Sequence, residues 1–175
     1  LVMVAFSGGG TRAAAFSYGV LEELADTKVK TGDGSQTLLH EVDMISSVSG
    51  GSFTNAYYGL YGDQIFKDFE ERFLRKNVEG ALLRQVFRPI NWFRLLSSAY
   101  GKSDIAAKYY DKILFSDATF ADLKRPGAPL VIMNSTGLGT GMRISFTKPG
   151  FDLLCADLDQ YPISRAVTAS SAVPG

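Results

Sequence analysis

The stretch from Glu41 to Phe53 reads EVDMISSVSGGSF. Its first eight residues, with Val42, Met44, Ile45 and Val48, form a short apolar run of the kind that makes a buried strand. Residues Ser52 to Leu60 then have helical character, and Gly62 marks a natural stop. Ser49 lies at the change of element, with Ser47, Gly50 and Gly51 around it. Two readings are open at this point. Ser49 is either one more turn serine, or a nucleophile exposed on a sharp strand-to-helix turn whose flanking residues must be small.

Working outward, Leu1 to Phe6 (LVMVAF) is a second apolar run, and it meets the glycines Gly8, Gly9 and Gly10. A helix is expected from about Thr11 to Asp26, where Phe16, Val20, Leu21 and Leu24 make an apolar stripe. The polar stretch TKVKTGDGSQ (residues 27–36) reads as a loop. Strand, helix and strand make a βαβ unit, whose right-handed crossover sets the two strands parallel in one sheet. Their C-terminal ends then lie side by side, at the edge where open α/β sheets bind ligands. Topology thus brings the glycine cluster to Ser49.

Further along, residues 63–78 read as amphipathic helix, and two helical stretches are expected within 103–124. Pro129 to Thr136 (PLVIMNST) is a third strand. GLGTG is a turn, Met142 to Thr147 a returning fourth strand, and Ile163 to Ala172 a small-residue helix. The expected fold class is α/β, with a mostly parallel central sheet flanked by helices in three layers.

The totals narrow the function. The chain has 175 residues, 46% apolar and 21% charged, as in a single globular domain. Lysine plus arginine and aspartate plus glutamate both number 18, so no broad basic surface is on offer and no nucleic-acid partner is expected. No apolar run approaches the roughly 18 residues of a membrane span. Cys155 is the only cysteine and His40 the only histidine, which leaves a thiolate or histidine-rich metal site without ligands.

Three glycines between a strand and a helix start can direct several backbone N–H groups at one anion. A dinucleotide is one candidate, since Gly8, Gly10 and Ala13 fit G-x-G-x-x-A. That fingerprint also needs a second strand ending in an acid about 20 residues on. Residues 28–36 are too polar for it. No G-K-[ST] is present for a triphosphate. The third candidate is a transient oxyanion, the species that acyl transfer through Ser49 would create. The alternative to a hydrolase is therefore a non-catalytic or nucleotide-binding α/β domain that uses the Gly8–Gly10 loop.

With both motifs placed, the chain resembles the patatin-like phospholipases, the lipid acyl hydrolase family. Gly8 to Leu24 (GGGTRAAAFSYGVLEEL) is similar to that family's G-G-G-x-[RK]-G oxyanion motif, with Ala13 where the family usually has Gly. Ser47 to Gly51 (SVSGG) resembles its nucleophile elbow. Arg165 to Gly175 (RAVTASSAVPG) resembles the segment leading toward its catalytic Asp. The resemblance implies a Ser–Asp dyad that cleaves lipid esters with no metal or organic cofactor. Ser49 is then the nucleophile, and Gly8, Gly9 and Gly10 hold the oxyanion. Arg12 is either a positive charge near that hole or an exposed first-turn arginine. Gly50 is a further possible donor.

A base is harder to find. His40 begins the strand that feeds the turn, roughly 25 Å from Ser49 at about 3.3 Å per residue. The family's Asp sits in a D-G-[GA] motif after the SSAVPG-like segment, where this chain ends. The one Asp-Gly pair, Asp33-Gly34, precedes Ser49 and reads as a plain turn. The expectation is a single patatin-like domain over 1–175, truncated at both ends, with its Asp beyond residue 175 and apolar surface left bare. Residues 80–103 contain no acid but carry Arg84, Arg88, Arg94 and Lys102 among Phe87, Trp92, Phe93 and Tyr100. That composition suits peripheral contact with an anionic bilayer, a cap over the core, or the lining of an acyl channel.

Overall fold

The computed structural model describes residues 1–31, 34–86 and 101–172. Strand β1 (Val2–Phe6) enters helix α1 (Gly10–Asp26). Residues 27–37 depart from the expected loop. They form an antiparallel hairpin, β2 (Lys28–Thr31) with β3 (Gly34–Thr37), as a small separate sheet. Alternation in Lys28-Val29-Lys30 carried the strand signal, but the stretch is polar enough to read as loop. Asp33 lies outside the described residues.

A short 3-10 turn (Leu38–Glu41) leads into β4 (Val42–Val48) and then α2 (Gly50–Tyr61), ended by Gly62 at φ 57°. Residues 62–74 are helical but irregular: a 3-10 turn, α3 (Ile65–Phe69) and a π turn (Glu70–Leu74). Next come α4 (Val78–Val86), α5 (Lys102–Tyr110) with a π turn behind it, and a 3-10 turn at Phe120–Leu123. Strands β5 (Leu130–Thr136) and β6 (Arg143–Ser145), the short α6 (Lys148–Asp152) and α7 (Ile163–Ser171) complete the chain.

The main sheet runs β1-β4-β5-β6. β1 pairs parallel with β4, and β4 parallel with β5, while β6 returns antiparallel. This is the mixed, mostly parallel sheet flanked by helices that the sequence predicts. The register sets Phe6 beside Ser47 and Val48 beside Asn134, so three strand ends converge where Ser49 follows.

Helix α2 lies at the centre of the packing, and Gly50 through Gly59 are all buried. A helix buried all round needs its polar groups satisfied internally. Thr54 Oγ1 donates to the Ala14 carbonyl at 2.9 Å, tying α2 to α1. Asn55 Nδ2 donates to the Ile45 carbonyl at 3.0 Å and to Ser47 Oγ at 2.8 Å, tying α2 to β4. Phe53 stacks on Phe73 at 4.5 Å and meets Tyr110 edge-on at 4.7 Å. Burying such a ring contributes roughly 1.5–3 kcal/mol. The opposite side of the sheet carries Met3, Met44, Leu130 and Ile132, with Met3 and Leu130 exposed. Among the described residues no helix is long and apolar enough to cross a membrane.

Candidate active site

Ser49 stands between β4 and α2 with φ 50° and ψ −124°. For a residue with a Cβ this is a strained conformation, costing on the order of 1–3 kcal/mol, and it persists only where the surroundings impose it. It ends the strand in one residue and starts the helix at the next. The side chain is half-buried.

The glycine loop meets that turn. A Cβ placed on Gly8 would lie 3.1 Å from Ser49 Cβ and 3.7 Å from Ser49 Oγ. One placed on Gly50 would fall 2.0 Å from the Gly10 carbonyl oxygen. One on Gly51 would fall 2.6 Å from Phe6 Cβ and 2.9 Å from the Ser7 carbonyl oxygen. Gly50 and Gly51 are therefore small because the backbone of the β1–α1 loop lies against them. The sequence expectation rested instead on the sharpness of the turn itself. Gly9 (φ 140°) and Gly10 (φ 62°) hold conformations that side chains disfavour. The first N–H groups of α1 and α2 have no helix carbonyl to bond and carry the positive end of each helix dipole.

Ser47 is buried, and its hydroxyl accepts from Asn55 Nδ2 and from Ser52 Oγ (3.1 Å). Arg12 is exposed on the first turn of α1 and makes no ion pair among the described residues. The backbone N–H of Ser49 donates to Ser170 Oγ on α7 at 2.9 Å. Ser170, Ser52, Asn55 and Asn134 form a polar cluster under the turn that sequence reading did not single out. Asn134 Nδ2 donates to the Ser47 carbonyl and to Ser46 Oγ, both at 3.1 Å, and its Oδ1 accepts from Ser145 Oγ at 2.7 Å. The only signal for the cluster in the sequence was the density of small hydroxyl residues in TASSA and ISSVS.

Among the described residues the Ser49 hydroxyl makes no hydrogen bond, and no carboxylate reaches it. His40 lies in the turn before β4, where its Nδ1 meets Thr37 Oγ1 at 2.7 Å and its Nε2 lies 3.9 Å from Asp63. It has no part in the Ser49 cluster. Beside the turn opens a cleft of about 650 Å³ lined by Val48, Asn134, Leu138, Arg143, Ala169 and Ser170.

The order of elements argues against the dinucleotide reading. That fingerprint requires the parallel strand after α1 to end in an acid about 20 residues on. Here a separate antiparallel hairpin intervenes, and the next parallel strand, β4, ends at Val48 and leads into Ser49. The sequence profile of patatin-like phospholipases matches residues 4–175. The chain belongs to the patatin-like phospholipase family. Two solved structures of human GIVD cytosolic phospholipase A2 are similar to it. One is in complex with methyl γ-linolenyl fluorophosphonate. It is 21% identical, with a TM-score of 0.51, over 82% of this chain and 22% of that one. The other, with the same inhibitor and terbium chloride, is 20% identical, with a TM-score of 0.57, over 97% of this chain and 29% of that one. At such identities the likeness is one of fold, and this chain spans under a third of those proteins' length. No functionally curated protein matches the sequence.

Of the residues expected to contact a membrane, 87–100 lie outside the described set. Within the rest, Leu82 is half-buried against the core, Leu83 is exposed, and Arg84 Nε donates to the Gly80 carbonyl.

Proposed function

We propose that this patatin-like chain is the nucleophile-bearing part of a serine lipid acyl hydrolase that cleaves ester bonds of phospholipids or related lipids. One observation carries the reading. Ser49 holds a strained turn at the C-terminal edge of a parallel sheet, with its Oγ within 4 Å of where a Gly8 side chain would be. A plain turn serine has no need of positive φ, two helix N-termini and a glycine loop at one point.

In the proposed reaction, Ser49 Oγ attacks the ester carbonyl carbon and gives its proton to a carboxylate base. The carbonyl oxygen becomes an oxyanion, held by the N–H groups of Gly9 and Gly10, with Gly8 and Gly50 as further donors. One such donor is worth about 2.7–4 kcal/mol in the transition state. Arg12 adds positive charge near the hole. Collapse breaks the ester C–O bond, and the leaving alcohol takes the proton back from the acid. Water then hydrolyses the acyl-serine by the same steps in reverse roles. No described carboxylate reaches Ser49, so the proposed base is an Asp outside the described residues, completing a Ser–Asp dyad. No metal or organic cofactor enters.

Family membership supports a lipid as substrate. So does the cleft, where Val48 and Leu138 offer an apolar wall and Arg143 a cation. We further propose peripheral membrane contact through residues 80–103, on the basic and aromatic composition of that stretch. The test is release of free fatty acid from phosphatidylcholine vesicles by the intact protein and by Ser49→Ala. The reading expects release that the substitution reduces by at least about 1000-fold. Equal release by the two proteins, or none by either, would reject it.

A further inference from the structure

Ser170 is the one hydroxyl of the last turns of α7 that leaves its helix. Thr168 Oγ1 donates back to the Ser164 carbonyl at 2.7 Å, and Ser171 Oγ to the Val167 carbonyl at 2.8 Å, the ordinary helical back-bond. Ser170 Oγ instead accepts the N–H of Ser49 at 2.9 Å and donates to the Asn134 carbonyl at 2.6 Å. It also meets Ser52 Oγ at 2.8 Å.

A hydroxyl has one proton and two acceptor sites. The Ser170 proton goes to the Asn134 carbonyl, Ser49 N–H fills an acceptor site, and Ser52 Oγ, whose own proton goes to Ser47, lies against the same oxygen at 2.8 Å. Ser170 thus has its one proton committed to the Asn134 carbonyl. It has nothing left with which to exchange protons with a substrate, so its role is geometric.

The geometry shows what it replaces. β4 and β5 are paired as far as Val48 beside Asn134. One residue more of regular ladder would set the Ser49 N–H toward β5. The chain turns away at Ser49, and this N–H would be left without its strand acceptor. Ser170 Oγ fills the gap and links Ser49 N–H to the Asn134 carbonyl, while Ser52 fixes the same oxygen from the first turn of α2. Asn134 is itself held by Ser46, Ser47 and Ser145. The strained φ of Ser49 is thus pinned from α2, β5 and α7 at once.

We propose that Ser170 is a positioning residue for the nucleophile turn: its hydroxyl holds the Ser49 backbone in the strained conformation that aims Oγ at the glycine loop. This rests on the reading of Ser49 as nucleophile. Loss of the hydroxyl should reduce the chemical step far more than substrate binding, because its bonds are to the nucleophile's backbone and its supports, even though Ser170 also borders the cleft.

The test uses the intact protein with Ser170→Ala, Ser170→Cys and Ser170→Thr. Two quantities are measured: kcat and KM on a soluble ester, and hydrogen exchange at the Ser49 amide. Ser170→Ala is expected to lower kcat on the order of tenfold, the worth of one lost hydrogen bond, with KM within about twofold. The Ser49 amide should exchange faster by a similar factor. Ser170→Cys, close to serine in shape but a poor partner, should behave like Ala and serves if Ala fails to fold. Ser170→Thr should recover kcat to within about threefold. Wild-type kcat and unchanged Ser49 exchange in Ser170→Ala or Ser170→Cys would overturn the proposal. So would Ser170→Thr as slow as Ser170→Ala, which would mean a packing role. An intact protein that turns over no ester, yet whose Ser49 exchange responds to Ser170, would locate the failure in the nucleophile reading instead.

Discussion

Gly50→Ala adds a single methyl group at the tightest point of the site. Gly50 is buried at the start of α2, and the added Cβ would fall 2.0 Å from the Gly10 carbonyl oxygen and 2.8 Å from its carbon. Both neighbours are backbone, so no side chain can swing aside. Side-chain carbons keep at least 3.0 Å from such atoms, so the loop and the helix must separate by about 1 Å. Overpacking of this kind costs about 1–3 kcal/mol, or roughly 3–10 °C of melting temperature in a domain of this size. The effect on chemistry should be larger. The gap opens between the glycine loop and the Ser49 turn, and a 1 Å misplacement costs on the order of 100-fold in rate. The assay is hydrolysis of a nitrophenyl ester, read as kcat, beside a thermal melt. Gly139→Ala is the control, since a Cβ there meets nothing within 4 Å and its φ is not positive; it should leave both readings unchanged. Gly50→Ala with kcat within twofold of wild type would refute the argument that this contact sets the catalytic geometry.

Gly9→Val should also reduce kcat by more than 100-fold with a smaller effect on the melt, because Val cannot hold φ 140° in a loop proposed to carry an oxyanion donor; hydrolysis of the same ester checks it. Asn55→Ala removes the buried amide that joins α2 to the Ile45 carbonyl and Ser47 Oγ, and should cost about 1–3 kcal/mol by urea titration. Asp104 accepts the Gly101 N–H at 2.9 Å and then Arg165 Nη2 at 3.0 Å, and in that order these lower its pKa. Its folded value lies below the unfolded one, so its stabilisation is fully present above about pH 4 and is lost as pH falls through the depressed value. Melts of Asp104→Asn and wild type should differ at pH 7 and converge below about pH 4.

What was legible in the sequence was whatever depends on local pattern. The apolar runs at residues 1–6, 42–48 and 130–136 became the three parallel strands, and the parallel pairing of β1 with β4 sufficed to bring Gly8 to Ser49. Gly62, at φ 57°, ended α2 as its position suggested. The β2–β3 hairpin was missed because its strands are polar and satisfy each other in a two-stranded sheet, with no apolar face to announce them. The π turns at Glu70–Leu74 and Asp111–Phe115 left no periodic mark, since one widened turn shifts the stripe by less than the scatter of apolar residues. The polar cluster was hidden for a different reason. Ser170 and Asn134 lie 121 and 85 residues beyond Ser49, and nothing in a serine or an asparagine tells which partner it will find across the sheet. The small residues at Gly50 and Gly51 read in the sequence as flanks of a tight turn, and the atoms that crowd them are the Gly10 and Ser7 backbone and Phe6 Cβ.

The central claim is that Ser49 Oγ is the nucleophile. A fluorophosphonate reacts by covalent attachment to an activated serine oxygen, which makes it the direct probe of a nucleophilic serine. The direct measurement is intact mass of the protein after exposure to such a probe, followed by peptide mapping of the modified site, for wild type and Ser49→Ala. The account predicts one adduct per chain, mapped to Ser49, and none in the variant. An adduct on any other residue, or the same adduct in Ser49→Ala, would contradict it.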